Sequence, residues 1–344
     1  MPGSMEHALR AADRLFELAS PFAQQLVQQF GPGPAQAELA NDLHFVLENI
    51  AAAVEFGSSG TVDRALAWWK VRLCAFGVSP AVAEQMPEAL LALAAAELDA
   101  AALAPLRRLL ANAAVYLRFA SERAPLGQDP LLAPGTRGAV FLAGALRGDR
   151  IAVAAATDGL DASQALALVL EPAQCEVGRM WQNGVLKPPQ EHLVTHHVQR
   201  LVDDLLARQP VPPAEAPCVA LVRAAEDEHG LGQSCLTLHL HGAGLRTRCV
   251  GASAVPAAIV PRLVALAPAA VALTCTTARH LRHVQRAIEA IRTDPALARC
   301  YVMVGGSMFR EVPQLATQLG ADGGAVDGAT AARQLRQRLL PVLA

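Results

Sequence analysis

The sequence predicts a mixed α and α/β fold. An all-helical N-terminal domain and a second helical segment precede a doubly wound, five-stranded parallel sheet. Three observations carry this. Apolar residues recur at helical spacing up to about residue 208. After 217, short β-branched runs alternate with helical segments, the pattern of a parallel sheet covered by helices. Stretches rich in Pro, Gly and polar residues at 121–137 and 208–217 separate the parts. We place the boundaries at 1–125, 126–210 and 216–344.

In the first part, Ala11, Leu15, Leu18 and Phe22 share one helical face, as do Leu43, Val46, Leu47, Ile50 and Val54. A third helix carries Ala65, Trp68, Trp69, Arg72 and Leu73, and further helices run over 80–97 and 103–120. The second part holds a helix in AVFLAGALRG, a long one from Ala162 to Trp181, and one from Pro189 to Ala207. Pro189 suits a first helical turn, where its missing N–H costs nothing. In the third part, strands are expected at 218–224, 246–251, 270–275, 300–306 and 323–328. Helices are expected at 231–244, 256–267, 278–293, 310–319 and 329–340. This alternation is that of a flavodoxin-like sheet. No G-x-G-x-x-G follows the first strand, which argues against an ordinary dinucleotide fold.

Composition narrows the function. Of 344 residues, 53% are hydrophobic and 17% charged, which excludes general disorder. The 70 alanines and only 4% aromatics favour closely packed helices. Two Lys stand against 27 Arg, and the net charge of −2 gives no basic footprint for nucleic acid. No run of 18 apolar residues predicts a membrane span, and the opening MPGSMEHALRAADR does not read as a secretory signal. Seven cysteines without a C-x-x-C pair fit a reduced, cytoplasmic chain. Most lie in apolar runs and read as small core residues.

Ligands of a doubly wound sheet bind beyond the C-terminal strand ends, at the switch point. Three loops there are unusual: Asp227-x-His229-x-x-Gly232 after the first strand, Thr274-Cys275-Thr276 after the third and Gly305-Gly306 after the fourth. An Asp two residues before a His can hold one imidazole nitrogen and leave the other as a metal ligand. The glycines let backbone approach a bulky ligand. The plainer alternative is a surface His among turn glycines.

These motifs resemble those of the base-off, His-on cobalamin-binding family. The resemblance covers about 137–340. It implies that His229 is the lower axial cobalt ligand and that Asp227 hydrogen-bonds it. It also implies that Thr274, Thr276, Gly305 and Gly306 line the slot for the nucleotide tail, with Gly232 among the cofactor-binding residues. Thr274 stands where the family usually has Ser and keeps the hydroxyl. Members also carry a four-helix bundle that caps the upper corrin face, and 126–210 fits it.

Within that bundle, Trp181, Glu191 and His192 resemble the W-x9-E-H signature of light-sensing adenosylcobalamin proteins. The resemblance implies that Trp181 packs against the 5′-deoxyadenosyl group and that Glu191 and His192 contact it or its surroundings. An aromatic face suits adenine, and a carboxylate accepts from ribose or adenine. The alternatives are a core Trp and a polar pair at a helix start. Light-responsive regulators of this kind place a His directly after the Trp to capture cobalt; here Gln182 stands there, so that route is in question. His192, His196 and His197 lie on the next helix. His192 and His196 also have i,i+4 zinc spacing, without an evident third ligand. His239 and His241, two apart on a helix, point in different directions.

Such regulators begin with a winged-helix DNA-binding domain, which the first 125 residues do not resemble. Instead LHFVLENIAAAVEFG…RALAWWKVRL resembles the N-terminal domains of other B12 sensors, among them photocobilins, which also bind biliverdin. Trp68, Trp69, His44, Phe45 and Arg72 are the candidates to line that site, Arg72 facing the propionates. A helical dimerisation or packing domain is the equal alternative.

The expectation is therefore a non-enzymatic, cytoplasmic photoreceptor. It binds adenosylcobalamin, with biliverdin as candidate second chromophore. Cobalt–carbon photolysis changes its conformation or assembly. It is a homo-oligomer, dimer or tetramer, or signals to a separate protein, with no nucleic-acid or membrane partner. The alternative is a corrinoid methyl carrier of a methyltransferase system.

Overall fold

The structure, a computed structural model, describes residues 2–30, 36–111, 113–120, 132–251 and 255–340. Most of the linker expected at 121–137 lies outside them. Two compact units result: residues 1–131 with 175–191, and residues 132–174 with 192–344.

The first unit is helical. It contains α1 (Pro2–Phe30), α2 (Gln36–Phe56), α3 (Ser59–Ala75), α4 (Ala81–Glu97), α5 (Ala100–Leu110) and α6 (Ala113–Phe119). To these it adds the end of α10 (Glu171–Gln182) and the start of α11 (Pro188–Arg208). Ala11, Leu15, Phe22, Leu43, Val46, Leu47, Ile50 and Val54 enter one core with Leu66, Trp69 and Leu90, while Leu18 is only half-buried at its edge. Buried alanines such as Ala19, Ala51 and Ala53 keep side-chain volume small where helices meet. Ser58 and Asp99 cap α3 and α5 by accepting from the backbone N–H of Thr61 and Ala102. One helix was expected over 103–120. The structure has α5 and α6 instead.

The second unit begins with α7 (Arg137–Arg147), α8 (Arg150–Ala155) and α9 (Ala162–Ala165). Thr136, Asp149 and Asp161 cap them, the last in a capping box with Gln164. The helix expected from Ala162 to Trp181 is present but not uniform: a π-helical turn, Leu166–Leu170, joins α9 to α10. The bundle expected at 126–210 thus divides, with 175–191 in the first unit and the remainder that is described in the second. Trp181 accounts for this, because its ring packs against Trp68 and Arg72 of α3.

The sheet consists of β1 (Cys218–Arg223), β2 (Arg246–Gly251), β3 (Ala270–Thr274), β4 (Tyr301–Gly305) and β5 (Gly323–Gly324), all parallel, in the order β2-β1-β3-β4-β5. That is the doubly wound flavodoxin-like order, with its switch point between β1 and β3. Val219, Leu221, Ala270, Ala272 and Met303 form a core with Leu236, Leu240 and Leu335. These come from α12 (Leu231–Gly242) and α17 (Gly328–Leu339). The edge strand β2 carries Arg246 and Arg248, which discourage further strand pairing.

Two elements depart from expectation. The helix expected over 310–319 is split into α15 (Ser307–Glu311) and α16 (Leu315–Gln318). Pro313 cannot continue a helix, and Val312 before it has left the helical region, at φ −131° and ψ 69°. The strand expected over 323–328 is only Gly323–Gly324. α13 (Pro256–Leu266) opens on a proline, and α14 (Leu281–Thr293) follows a 3-10 turn, Ala278–His280. Among the described residues no helix is long and apolar enough to cross a membrane.

Leu221 is 1% exposed in the middle of β1. Leu221→Ala should cost about 2–5 kcal/mol in urea unfolding. A loss well under 1 kcal/mol would contradict its place in the central strand.

Candidate functional site

Register builds the site's edge. Arg223 of β1 pairs with Thr274 of β3, and Thr274 pairs with Gly305 of β4. The loops that follow these residues leave the sheet side by side at its C-terminal edge. The Cys275 N–H donates to the Gly305 carbonyl at 3.0 Å. Ser307 Oγ donates to the Thr276 carbonyl at 2.7 Å.

The loop after β1 turns at Glu226, whose φ of 64° is unusual for a residue with a side chain. The turn sends Asp227 inward, to 2% exposure. Asp227 Oδ1 accepts from the His229 backbone N–H at 3.1 Å and lies 2.7 Å from His229 Nδ1. Oδ2 accepts from the Thr276 N–H at 2.7 Å, which ties the β1 loop to the β3 loop. His280 Nδ1 lies 3.9 Å from Oδ2. Burial alone would raise the Asp227 pKa. The bonds from the His229 ring and from the Thr276 and His229 N–H groups, with the His280 imidazole nearby, outweigh it and hold the carboxyl far below the usual carboxylate range.

A carboxylate only accepts, so the Asp227 contact places the proton of a neutral His229 on Nδ1. Nε2 then carries the lone pair, on a side chain 63% exposed. The same logic fixes His280, which is buried. Its Nε2 accepts from Arg279 Nε at 3.0 Å, so Nδ1 carries the proton, 3.2 Å from Thr277 Oγ1. The sequence reading missed His280 and Ser307. A His after the third strand was the available signal, but it stands in none of the spacings that single out other histidines of the chain.

The other expected residues of this unit fall at the same edge. Thr274 Oγ1 is buried and finds no partner among the described residues, which calls for a ligand group or water. Gly232 has open space where a side chain would begin. Gly306 is different: at φ 106° an added Cβ would overlap the Cys275 carbonyl, so protein backbone alone requires glycine there. Gly305 ends β4 beside Thr274. Asp227, His229, Thr274 and Thr276 are thus brought together. The donor set fits a cobalt corrinoid: an imidazole held by a carboxylate, an unpartnered hydroxyl and an open glycine. His229 Nε2 would hold the metal, and Thr274 would bind the nucleotide tail.

Of the further histidines in this unit, His239 Nε2 lies 3.1 Å from Glu171 Oε1 and His241 Nε2 lies 3.0 Å from Thr247 Oγ1, so the two do diverge. His192 and His196 are exposed and His197 is buried. Among the described residues no group of three or more His, Cys, Asp or Glu could hold a metal ion, so the zinc spacing of His192 and His196 stays without a third ligand. Cys218, Cys235 and Cys275 are buried, and burial pushes the Cys235 thiol up to about 12. Cys249 is exposed, unlike a core residue.

Trp181 and Glu191 belong to the first unit, both half-buried. The Trp181 ring lies 6.1 Å from Trp68, and Trp68 lies 5.3 Å from Phe45. Arg72 stands 4.9 Å from the Trp181 ring centroid, with Nε donating to Asp42 Oδ2 at 2.8 Å and one terminal nitrogen donating to the Trp181 carbonyl at 3.0 Å. Its expected partner was a bilin propionate, but two of its three nitrogens already bind protein oxygens. Trp69 is fully buried in the core, and His44 lies 3.5 Å from Glu48.

Fold and site together define a cobalamin-binding chain. Residues 217–336 and residues 142–205 each match a family described as B12 binding domain. A curated relative, the HTH-type transcriptional repressor CarH of Myxococcus xanthus, is 33% identical over 144 residues. The match spans 41% of this chain and 46% of CarH, so under half of that relative's length is represented. Both matched segments are described by their affinity for B12, which makes a cobalamin the ligand class of this chain. The chain is also similar to the monomethylamine corrinoid protein of Methanosarcina barkeri, at 16% identity over 58% of this chain and 96% of that one, with a TM-score of 0.47. A cobalamin-binding protein of Desulfitobacterium hafniense DCB-2 matches at 17% over 58% and 97%, with a TM-score of 0.34.

Asp227 gives a pH prediction. A depressed folded pKa contributes stability that is present in full above the ordinary value of 3.8 and declines as pH falls below it. In the cofactor-free chain, Asp227→Asn should therefore lower the urea midpoint at pH 6, and the gap to wild type should narrow by pH 3. An unchanged gap would show that the carboxylate is not held as described.

Proposed function

We propose that the chain is an adenosylcobalamin-dependent light sensor. The observation that carries this is the Asp227–His229 pair, which presents one imidazole nitrogen at the switch point of a B12 binding domain. The light-sensing part draws support from the likeness of Trp181, Glu191 and His192 to the adenosylcobalamin signature and from the identity to CarH. Bound there, the cofactor supplies a cobalt–carbon bond that visible light cleaves.

The protein's contribution is to hold and to discriminate. Asp227 keeps the His229 proton on Nδ1 and so keeps Nε2 basic. Thr274 accepts or donates at the nucleotide tail. Trp181 offers a flat apolar face to the adenosyl group, and Glu191 and His192 offer polar contacts. For a switch, these residues must contact the adenosyl group differently in two states of the protein. The output is a change of homo-oligomeric state, or of a surface read by a second protein. Biliverdin, if held, would use Phe45, Trp68 and His44, because Arg72 is engaged.

The test uses the full chain loaded with adenosylcobalamin, followed by absorption and light scattering in the dark and under green light. We expect an alkylcobalamin spectrum in the dark and a changed molar mass after illumination. Bleaching at the free cofactor's rate with no change in mass would overturn the switch. Trp181→Ala should reduce the preference for adenosylcobalamin over methylcobalamin by about tenfold, or about 1.4 kcal/mol. A corrinoid methyl carrier would leave that ratio unmoved. Expression with biliverdin should give a far-red band that survives desalting if the second chromophore binds.

A further inference from the structure

We propose that Arg72 is the positioning residue for Trp181, so that the N-terminal helices set the selectivity for the group on cobalt. The inference rests on the reading that gives Trp181 the adenosyl contact.

Trp181 lies at the end of α10, where its carbonyl has no helical i+4 donor and accepts instead a turn bond from the Gly184 N–H at 2.9 Å, leaving a second lone pair to be met. Arg72 donates to the Trp181 carbonyl at 3.0 Å and reaches the Gln182 carbonyl at 3.4 Å. A cation on those carbonyls also complements the negative end of the helix. The same guanidinium lies 4.9 Å from the Trp181 ring centroid and 4.9 Å from that of Phe76, within cation–π range. One side chain therefore fixes both the backbone and the ring of Trp181. Trp68 supports the ring from the side. The turn after α10 is pressed against α3 as well, since a Cβ at Gly184 would stand 3.2 Å from that of Ala75.

Arg72 is itself held. Its side chain is 7% exposed and that of its partner Asp42 is 15%. Burying such a pair costs desolvation that its attraction does not reliably recover, so it is weak evidence for a stabilising role. Its value here lies in direction. Asp42 takes Nε and turns the remaining fork toward the end of α10. Lysine could keep the charge but not the planar fork that binds a carbonyl and stacks on a ring together.

The test compares wild type, Arg72→Lys, Asp42→Asn, Trp181→Ala and the Arg72→Lys/Trp181→Ala double variant, all as full chains. Affinities for adenosylcobalamin and hydroxocobalamin are measured by absorption titration, with tryptophan emission of the cofactor-free chains as a second readout. We expect Arg72→Lys and Asp42→Asn to bind hydroxocobalamin as wild type does. Both should lose about tenfold of the adenosyl preference, with emission shifted to the red. The double variant should lose no more than Trp181→Ala, since both act through one ring. A merely structural defect would weaken both cobalamins alike and leave the ratio unchanged, and that result overturns the proposal. Wild-type preference in Arg72→Lys, with loss in Trp181→Ala, overturns the role of Arg72 and leaves that of Trp181. Wild-type preference in Trp181→Ala overturns both.

Discussion

The site depends on one buried carboxylate. Asp227 is almost fully removed from water, and an ionised group in that position is tolerated only when its oxygens are met by donors. Three come from the protein at hydrogen-bond distance: the His229 ring, the His229 N–H and the Thr276 N–H. The Asp227 backbone N–H in turn donates to the Ala224 carbonyl. Two loops from neighbouring strands are thereby joined through a single side chain. The direction of the His229 imidazole follows from that junction and does not rest on the exposed ring finding its own place. A loop histidine with 63% of its side chain in solvent would otherwise sample several rotamers.

The sheet makes that junction available. The β1–β3 and β3–β4 registers place Arg223, Thr274 and Gly305 in one row, so the loops after them begin at the same level. Gly306 lets the β4 loop pass against the Cys275 carbonyl, and Ser307 then reaches Thr276. Each contact is local, yet together they make the β3 loop a rigid wall facing the Asp227 carboxylate. His280 closes its other side. Its tautomer is set by Arg279 and directs an N–H toward Thr277 and Asp227. The carboxylate thus sits between two imidazoles, one exposed and one buried, and only the exposed one is free to meet a ligand.

Much of this was legible in the sequence. Strand positions were readable because β1, β3 and β4 are short apolar runs buried on both faces, a pattern that survives any detail of packing. The Asp227–His229 contact was readable because two residues on a tight loop must lie close whatever the rest of the chain does. His280 was not readable, since its approach to Asp227 depends on how a 3-10 turn after β3 folds back across the switch point. Pro313 was visible, yet the apolar spacing around it suggested one helix; the proline's missing N–H and its restriction of Val312 prevailed. The π-helical turn at Leu166–Leu170 has no marker in residue type. The bundle's division was hidden for a similar reason: a Trp at helical spacing looks the same whether it packs within its own bundle or against α3.

Trp181 and Arg72 show how such a residue can acquire a second meaning. Sequence logic assigned each to a different ligand, the Trp to an adenosyl group and the Arg to propionates. The structure gives them to each other. An arginine that binds a helix-end carbonyl and stacks on the side chain of the same residue leaves that residue little freedom, because ring and backbone cannot shift independently. The arrangement is also polar and buried, so partial loosening is costly: a displaced guanidinium leaves Asp42 charged at 15% exposure, where burial already pushes its pKa up against the opposing bond from Arg72. Ring, helix-end carbonyl and guanidinium therefore hold or shift together as one unit. The scarcity of aromatics in the chain fits this economy. Two of its three tryptophans, Trp68 and Trp181, are placed against one another, and the third, Trp69, anchors the core beside them.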